Sequence, residues 1–166
     1  MPEMRKKTHC GCALKFWVRH GKSCEAKQFK SFLDKGKHPT FIGPNMIRRS
    51  SVNGGMCLAM IGSDEVAAVA LVNPRVSQLN VLNVMPAHRG HGIGKAFVAY
   101  LACNFARVVE DKVQFFESCG YIKIGAMKKG RTLNTQIMAR KNLFALAGRV
   151  EKILGKVPLT PSGGIT

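Results

Sequence analysis

The feature that most constrains this chain is an apolar strand that runs into a helix through a turn carrying three glycines. In VLNVMPAHRGHGIGKAF, residues 81–97, the strand ends at Pro86 and the helix is entered through Arg89, Gly90, His91, Gly92, Ile93 and Gly94. Such a turn suits an anion. Glycine removes the side chains that would hold a phosphate away from the backbone, and the first turn of a helix has free N–H groups and the positive end of the helix dipole. Arg89 and Lys95 are expected to add full charges there. Two familiar phosphate loops do not fit. The P-loop ending GK[ST] is absent because Ala96 follows Lys95, and the dinucleotide loop spaces its glycines differently.

The remaining pattern predicts one mixed α/β or α+β domain around a single sheet. Residues 13–19 read as a strand. Residues 24–34 read as an amphipathic helix, with Ala26, Phe29, Phe32 and Leu33 at helical spacing. Gly36, Pro39, Gly43 and Pro44 then predict a loop. MCLAMIG and VAAVALV read as strands joined by Ser63, Asp64 and Glu65, and a third strand covers 78–84, with Leu79, Val81 and Asn83 on one face and Asn80, Leu82 and Val84 on the other. After the glycine turn come a helix of about 11 residues, with Phe97, Leu101 and Phe105 aligned, a strand at 106–109 and a short helix at 111–119. A hairpin pairs 121–127 with 132–139, turning at Lys128, Lys129, Gly130 and Arg131, and a last helix covers 143–154. Residues 1–155 are expected to form the domain and 156–166 a loose tail.

Charge narrows the partners. The 166 residues carry 26 Lys and Arg against 9 Asp and Glu, a net +17, and the excess is unevenly spread. Residues 1–50 sum to +9, residues 51–120 to zero and residues 121–166 to +8. Basic flanks around a neutral middle point to a polyanionic partner such as DNA, RNA or a nucleoprotein. The longest clean apolar run, Val66 to Val72, is far short of the roughly 18 residues of a membrane span, and the basic N-terminus has its apolar stretch broken by Lys15 and Arg19. A reducing cytoplasm is the expected compartment, with the six cysteines as thiols.

The glycine turn resembles motif A of the GCN5-related N-acetyltransferase superfamily, whose pattern Gln/Arg-x-x-Gly-x-Gly/Ala is met by Arg89, Gly92 and Gly94 after a V-x-P at Val84, Met85 and Pro86. VQFFESCGY, residues 113–121, is similar to the family's motif B. The resemblance covers 56–139, and residues 1–45 match as its variable acceptor-side segment. It implies a mixed, mostly antiparallel sheet whose middle strands splay apart, flanked by helices, with an acyl-CoA in the gap, usually acetyl-CoA. The pyrophosphate would rest on the backbone of His91 to Ala96, reached also by Arg89 and Gly90. The pantetheine arm would pair with the main chain of Leu82, Val84 and Met85 like an added strand. The implied reaction is direct attack of an acceptor amine on the thioester, with positioning contributing up to ~7–11 kcal/mol.

The motif also shows a gap. Many relatives carry a tyrosine on the motif B helix that protonates the departing thiolate, and here that position is Phe116. Ser118 and Cys119 are the nearest alternative donors, and Asn80 a candidate to orient a water. Glu110 and Asp111 read as helix-capping acids. Either the acceptor nitrogen is already neutral, as on a nucleobase, or acid and base come from the acceptor or His38, or the fold binds CoA without catalysis. The resemblance implies that Lys128, Lys129 and Arg131, at the tip of the last hairpin, lie on the acceptor side. Polyamine-type acceptors are disfavoured by the charge, leaving a nucleic-acid or nucleoprotein acyltransferase, a non-catalytic binding module, and a protein lysine or N-terminal acetyltransferase. No metal is expected. His9, Cys10, Cys12, His20 and Cys24 crowd together and could supply four zinc ligands, but the spacing matches no standard knuckle, and the cysteines read first as buried thiols. Trp17 reads as core.

Overall fold

The computed structural model of the protein describes residues 4–7, 13–36, 42–130 and 133–143. The short strand β1 (Met4–Lys7) pairs with the first half of β2 (Ala13–His20), whose second half pairs with β3 (Met56–Ile61). Two hairpins then add β4 (Glu65–Asn73) and β5 (Gln78–Val84). β6 (Phe105–Val109), β7 (Tyr121–Lys128) and β8 (Thr135–Arg140) complete the order β1-β2-β3-β4-β5-β6-β8-β7. Among the described strands only β5 and β6 run parallel; the other pairs are antiparallel. The expected mixed, mostly antiparallel sheet of one α/β domain is the observed one.

Helices cover both faces. α1 (Ala26–Lys35) and α2 (Pro44–Val52) bury Phe29, Leu33 and Ile47 against Met56, Leu58, Val69 and Val81. On the opposite face α3 (Ile93–Leu101) and α4 (Val113–Ser118) bury Ile93, Phe97 and Phe116 against Ala68, Ala70, Leu79, Ala106 and Val108. β4 lies between the two layers, so Ala68 and Ala70 serve one core, Val69 and Leu71 the other, and its sequence is apolar without alternation. Trp17 packs on the α1/α2 layer, and its Nε1 donates to the Gly62 carbonyl at 2.7 Å.

The structure corrects two expectations. No helix was expected between the loop marked by Gly36, Pro39, Gly43 and Pro44 and the strand at Met56, and α2 stands there, because Pro44 opens its first turn, where the missing N–H costs nothing and φ is already helical. α3 has nine residues and ends at Leu101; Phe105 belongs to β6, since Ala102 turns left-handed at φ 50° and stops the helix. Apart from Leu143, the helix expected over 143–154 lies outside the described residues, as do the 156–166 tail, His9, Cys10, Cys12, His38 and Arg131. No helix among the described residues is long and apolar enough to cross a membrane.

The entry to α1 is held electrostatically. Arg19 donates to both carboxylate oxygens of Glu25 at 2.6 and 3.0 Å, and the Lys22 N–H adds a third bond at 2.7 Å. The Arg19 hydrogen bond, more than any other influence, lowers the Glu25 carboxyl from 4.5 to about 2. A carboxyl depressed in the folded state stabilises fully above its ordinary pKa and loses that contribution as the pH falls through the folded value. Urea titrations of Glu25→Gln between pH 5 and pH 2 are expected to show a shallower loss of stability on acidification than the unaltered protein, and an equal slope for the two would contradict this role.

Candidate functional site

β5 and β6 pair only at their first residues, Gln78 with Phe105 and Leu79 with Ala106. Beyond Leu79 they diverge around a cleft of about 1190 Å³, bordered by residues 78–84 of β5 and by Arg107, Val108 and Val109 of β6. At the point of divergence β5 carries an extra residue. Val72 faces Leu79 and Leu71 faces Val81, so Asn80 has no ladder partner on β4. The bulge reverses the faces read from strict alternation: Leu79 joins Leu82 and Val84 on the α3/α4 side, while Val81 and Asn83 turn to the α1/α2 side. Asn83 donates there to the Phe32 carbonyl at 3.1 Å.

The main chain of β5 is presented to the cleft. The Met85 N–H donates to the Ala67 carbonyl at 2.9 Å, so the alternation of an antiparallel ladder turns the N–H and C=O groups of Leu82 and Val84 away from β4 and toward the gap. Immediately beyond, Pro86–His88 form a 3-10 turn, and Gly90 and Gly92 take left-handed φ values of 79° and 76°. Gly92 caps α3 without a side-chain cap bond, and the first intrahelical bond runs from Ala96 N–H to its carbonyl. The N–H groups of Ile93, Gly94 and Lys95 therefore lack helical acceptors at the end of the helix that borders the cleft. A Cβ on Gly94 would stand 3.2 Å from Val84 and 3.3 Å from Phe115, so this glycine lets α3 approach both β5 and α4.

Among the residues expected to hold the cofactor, Leu82, Val84, Arg89, Gly90, Gly92, Ile93, Gly94 and Lys95 border the cleft, whereas His91, Met85 and Ala96 do not. Met85 and Ala96 are buried in the two cores. Arg89, expected to offer its charge to phosphate, also makes hydrogen bonds within the protein. Its Nε donates to the Val84 carbonyl at 2.9 Å and its guanidinium NH2 to the Gly36 carbonyl at 2.8 Å. It thus ties the end of α1 to the end of β5, a favourable place for a cation. A Cβ on Gly36 would overlap Asn83 Nδ2, so the same junction is sterically closed. Arg89→Lys cannot reproduce this fork, and a loss of about 1–2 kcal/mol in urea unfolding is expected for Arg89→Lys and Arg89→Ala alike. Full stability of the lysine variant would show that charge alone suffices.

The proton-transfer candidates separate. Asn80 borders the cleft at its apex, while Ser118 and Cys119 do not border it. The Ser118 hydroxyl donates to the Phe115 carbonyl at 2.7 Å, and Cys119 packs beside the α3/α4 core. Phe116 faces the cleft with its ring against Phe115 and Tyr121. Tyr121 is buried, donates to the Cys103 carbonyl at 2.6 Å, and has its hydroxyl pushed up to about 12 by burial. Glu110 and Asp111 form a 3-10 turn before α4 and make no side-chain cap there. Glu110 instead accepts from Asn134 at 2.9 Å, and Asp111 borders the cleft while pairing with Lys112 at 2.8 Å. Lys128 and Lys129 are exposed at the outer end of edge strand β7, outside the cleft lining. Residues that strand patterning alone did not single out also line it: Asn73, Gln78, Arg107, Thr135, and Met46 and Ser50 of α2. A polar residue at each end of an apolar strand was the available signal for Asn73 and Gln78. Among the described residues, no cluster of three or more His, Cys, Asp or Glu is placed to hold a metal ion.

This is the fold of the GCN5-related N-acetyltransferases. An acetyltransferase of that family from Listeria monocytogenes superposes with a TM-score of 0.56 at 12% identity, over 81% of this chain and 98% of its own. The Mycobacterium tuberculosis protein Rv2747, solved in complex with CoA, gives 0.58 at 16% over 75% and 98%. Diaminobutyrate acetyltransferase from Paenibacillus lautus, in complex with L-2,4-diaminobutyric acid and coenzyme A, gives 0.54 at 13% over 75% and 94%. No protein-family model and no curated protein sequence matches the chain.

Proposed function

We propose that the protein is an N-acyltransferase that takes an acyl group from acyl-CoA, acetyl-CoA foremost, and passes it to an amine on a nucleic acid or a nucleic-acid-bound protein. The observation that carries this reading is the meeting, in one cleft, of the splay between β5 and β6 with the uncapped, glycine-built N-terminus of α3. The parts fit the two ends of a CoA thioester. Free N–H groups of Ile93, Gly94 and Lys95 suit its pyrophosphate, and the outward main chain of Leu82 and the Val84 N–H suit its amide-bearing arm, the Val84 carbonyl already accepting from Arg89. Bound there, the thioester supplies an activated acyl carbon. The chain's own task is to hold the acceptor nitrogen in line with that carbon: a C–N bond forms, the C–S bond breaks, and the amine proton leaves with the thiol or to solvent. The Asn80 bulge stands at the apex, where a main-chain N–H turned into the gap would face the carbonyl oxygen.

The acceptor reading rests on charge. Among the described residues, Arg89, Lys95, Arg107 and Lys112 line the cleft against one acid, Asp111, which Lys112 pairs. A cationic alkylamine meets repulsion there, and an acceptor on a polyanion does not. One observation favours a second reading, a CoA-binding module without catalysis: Phe116 presents no proton donor where it borders the cleft. Incubation of the pure protein with labelled acetyl-CoA and separate pools of DNA, RNA, basic peptides and polyamines discriminates these readings. Label in a nucleic-acid or basic-protein pool supports transfer to that class. Acetyl-CoA binding with no label anywhere supports the module, and label confined to polyamines overturns the acceptor reading.

A further inference from the structure

Resting on the acyltransferase reading, we infer that the Gln78–Asn80 side-chain pair at the apex of the splay is the acceptor-holding element, and that it takes the exocyclic amine of a nucleobase. Gln78 begins β5 where β6 is still paired to it, and Asn80 is the extra residue of the bulge, so the two amides flank the point at which the strands part. Gln78 Nε2 donates to Asn80 Oδ1 at 2.6 Å. Two amides joined by one such bond necessarily leave an oxygen acceptor on one and an NH2 donor on the other, and this remains so if both are turned end for end. Here those groups are Gln78 Oε1 and Asn80 Nδ2.

An acceptor and a donor side by side complement a donor next to an acceptor. The amine of adenine with its neighbouring ring nitrogen has this form, and so does that of cytosine. One amine hydrogen goes to Gln78 Oε1, the ring nitrogen accepts from Asn80 Nδ2, and the amine nitrogen is left at the apex. A lysine or polyamine ammonium presents donors alone, carries a charge, and would need a base and a counter-charge. The only acid bordering this cleft among the described residues is Asp111, already paired with Lys112. A base amine is neutral at physiological pH, which also removes the need for a general base that the site does not display. The surroundings agree with a base on a strand. Ala106 and Val108 pack in the α3/α4 core, so Arg107 between them projects to the opposite face, where it is exposed at the cleft border and in position for a phosphate. Asn73, whose Oδ1 accepts from the Arg75 N–H at 3.2 Å, adds a further amide to the same rim.

The test uses the full chain, labelled acetyl-CoA, and single-stranded oligonucleotides of dA, dC or dT, beside a lysine-rich peptide. Label is expected on the dA or dC strand and absent from dT, which has no exocyclic amine. Gln78→Glu keeps the shape but makes the side chain an acceptor only, so Asn80 must turn its NH2 to it and present Oδ1 where Nδ2 stood, leaving two acceptors in place of the acceptor–donor pair. Transfer to the oligonucleotide is then expected to fall at least tenfold while acetyl-CoA affinity, measured separately by calorimetry, stays within twofold. Label on the peptide and none on any base, equal label on dT, or an unchanged rate for Gln78→Glu overturns the inference while leaving the acyltransferase reading standing. Failure of the unaltered protein to bind acetyl-CoA at all overturns both.

Discussion

Gly92→Glu is expected to weaken acetyl-CoA binding by ~100-fold or more, equivalent to about 2.7 kcal/mol, because it sets a carboxylate at the uncapped end of α3 where phosphate should sit. Gly92 holds φ at 76° and stands among the residues bordering the cleft. Backbone strain is a separate effect of the same substitution, and Gly92→Ala isolates it: a methyl in a left-handed position costs about 1 kcal/mol of stability without bringing charge. Calorimetric titration of both variants with acetyl-CoA, after circular dichroism has verified folding, reads the outcome. Near-native affinity in Gly92→Glu would mean that the pyrophosphate does not lie on this turn. Equal losses in the two variants would assign the effect to the backbone.

Phe97→Ala should have the largest effect on stability. Phe97 is fully buried on α3, one turn below the residues that face the cleft, and packs in the core shared with Leu79, Ala106 and Phe116. Truncation of a phenylalanine so placed costs about 3–5 kcal/mol, which in a domain of this size lowers the melting temperature by roughly 10 °C. The loss should reach the site, since the cleft-bordering N-terminus of α3 is held in place by buried Ile93 and Phe97 and has no side-chain cap of its own. A melting temperature within two or three degrees of the unaltered protein would show that α3 is anchored elsewhere.

Much of this arrangement was legible before the structure. Three glycines with left-handed or close-packed roles cannot be hidden in a strand-to-helix turn, and continuous apolarity marks a strand covered on both faces, as β4 is. Elements whose identity rests on one buried residue were harder to read. α2 buries Ile47 alone and opens with a proline that is equally at home in a loop, so its periodicity carried no signal. The capping role expected of Glu110 and Asp111 failed for a similar reason: whether an acid caps a helix depends on what else lies within reach, and Asn134 reaches Glu110 while Lys112 pairs Asp111.

The composition and local order of the chain determined an α/β domain, a glycine-rich turn at the head of α3, basic flanks and a phenylalanine, Phe116, where motif B often has tyrosine. These depend on neighbouring residues and on the charge and conformational freedom that each carries wherever it is placed. The tertiary structure alone decided which way β5 presents its side chains, because a single bulged residue reverses every face after it and leaves the local alternation unaltered. It also decided that Arg89 joins two carbonyls 53 and 5 residues away in sequence, and that Gln78 and Asn80 stand where β6 departs. Both follow from which backbone groups are left unpaired where strands part, and that depends on partners remote in the chain.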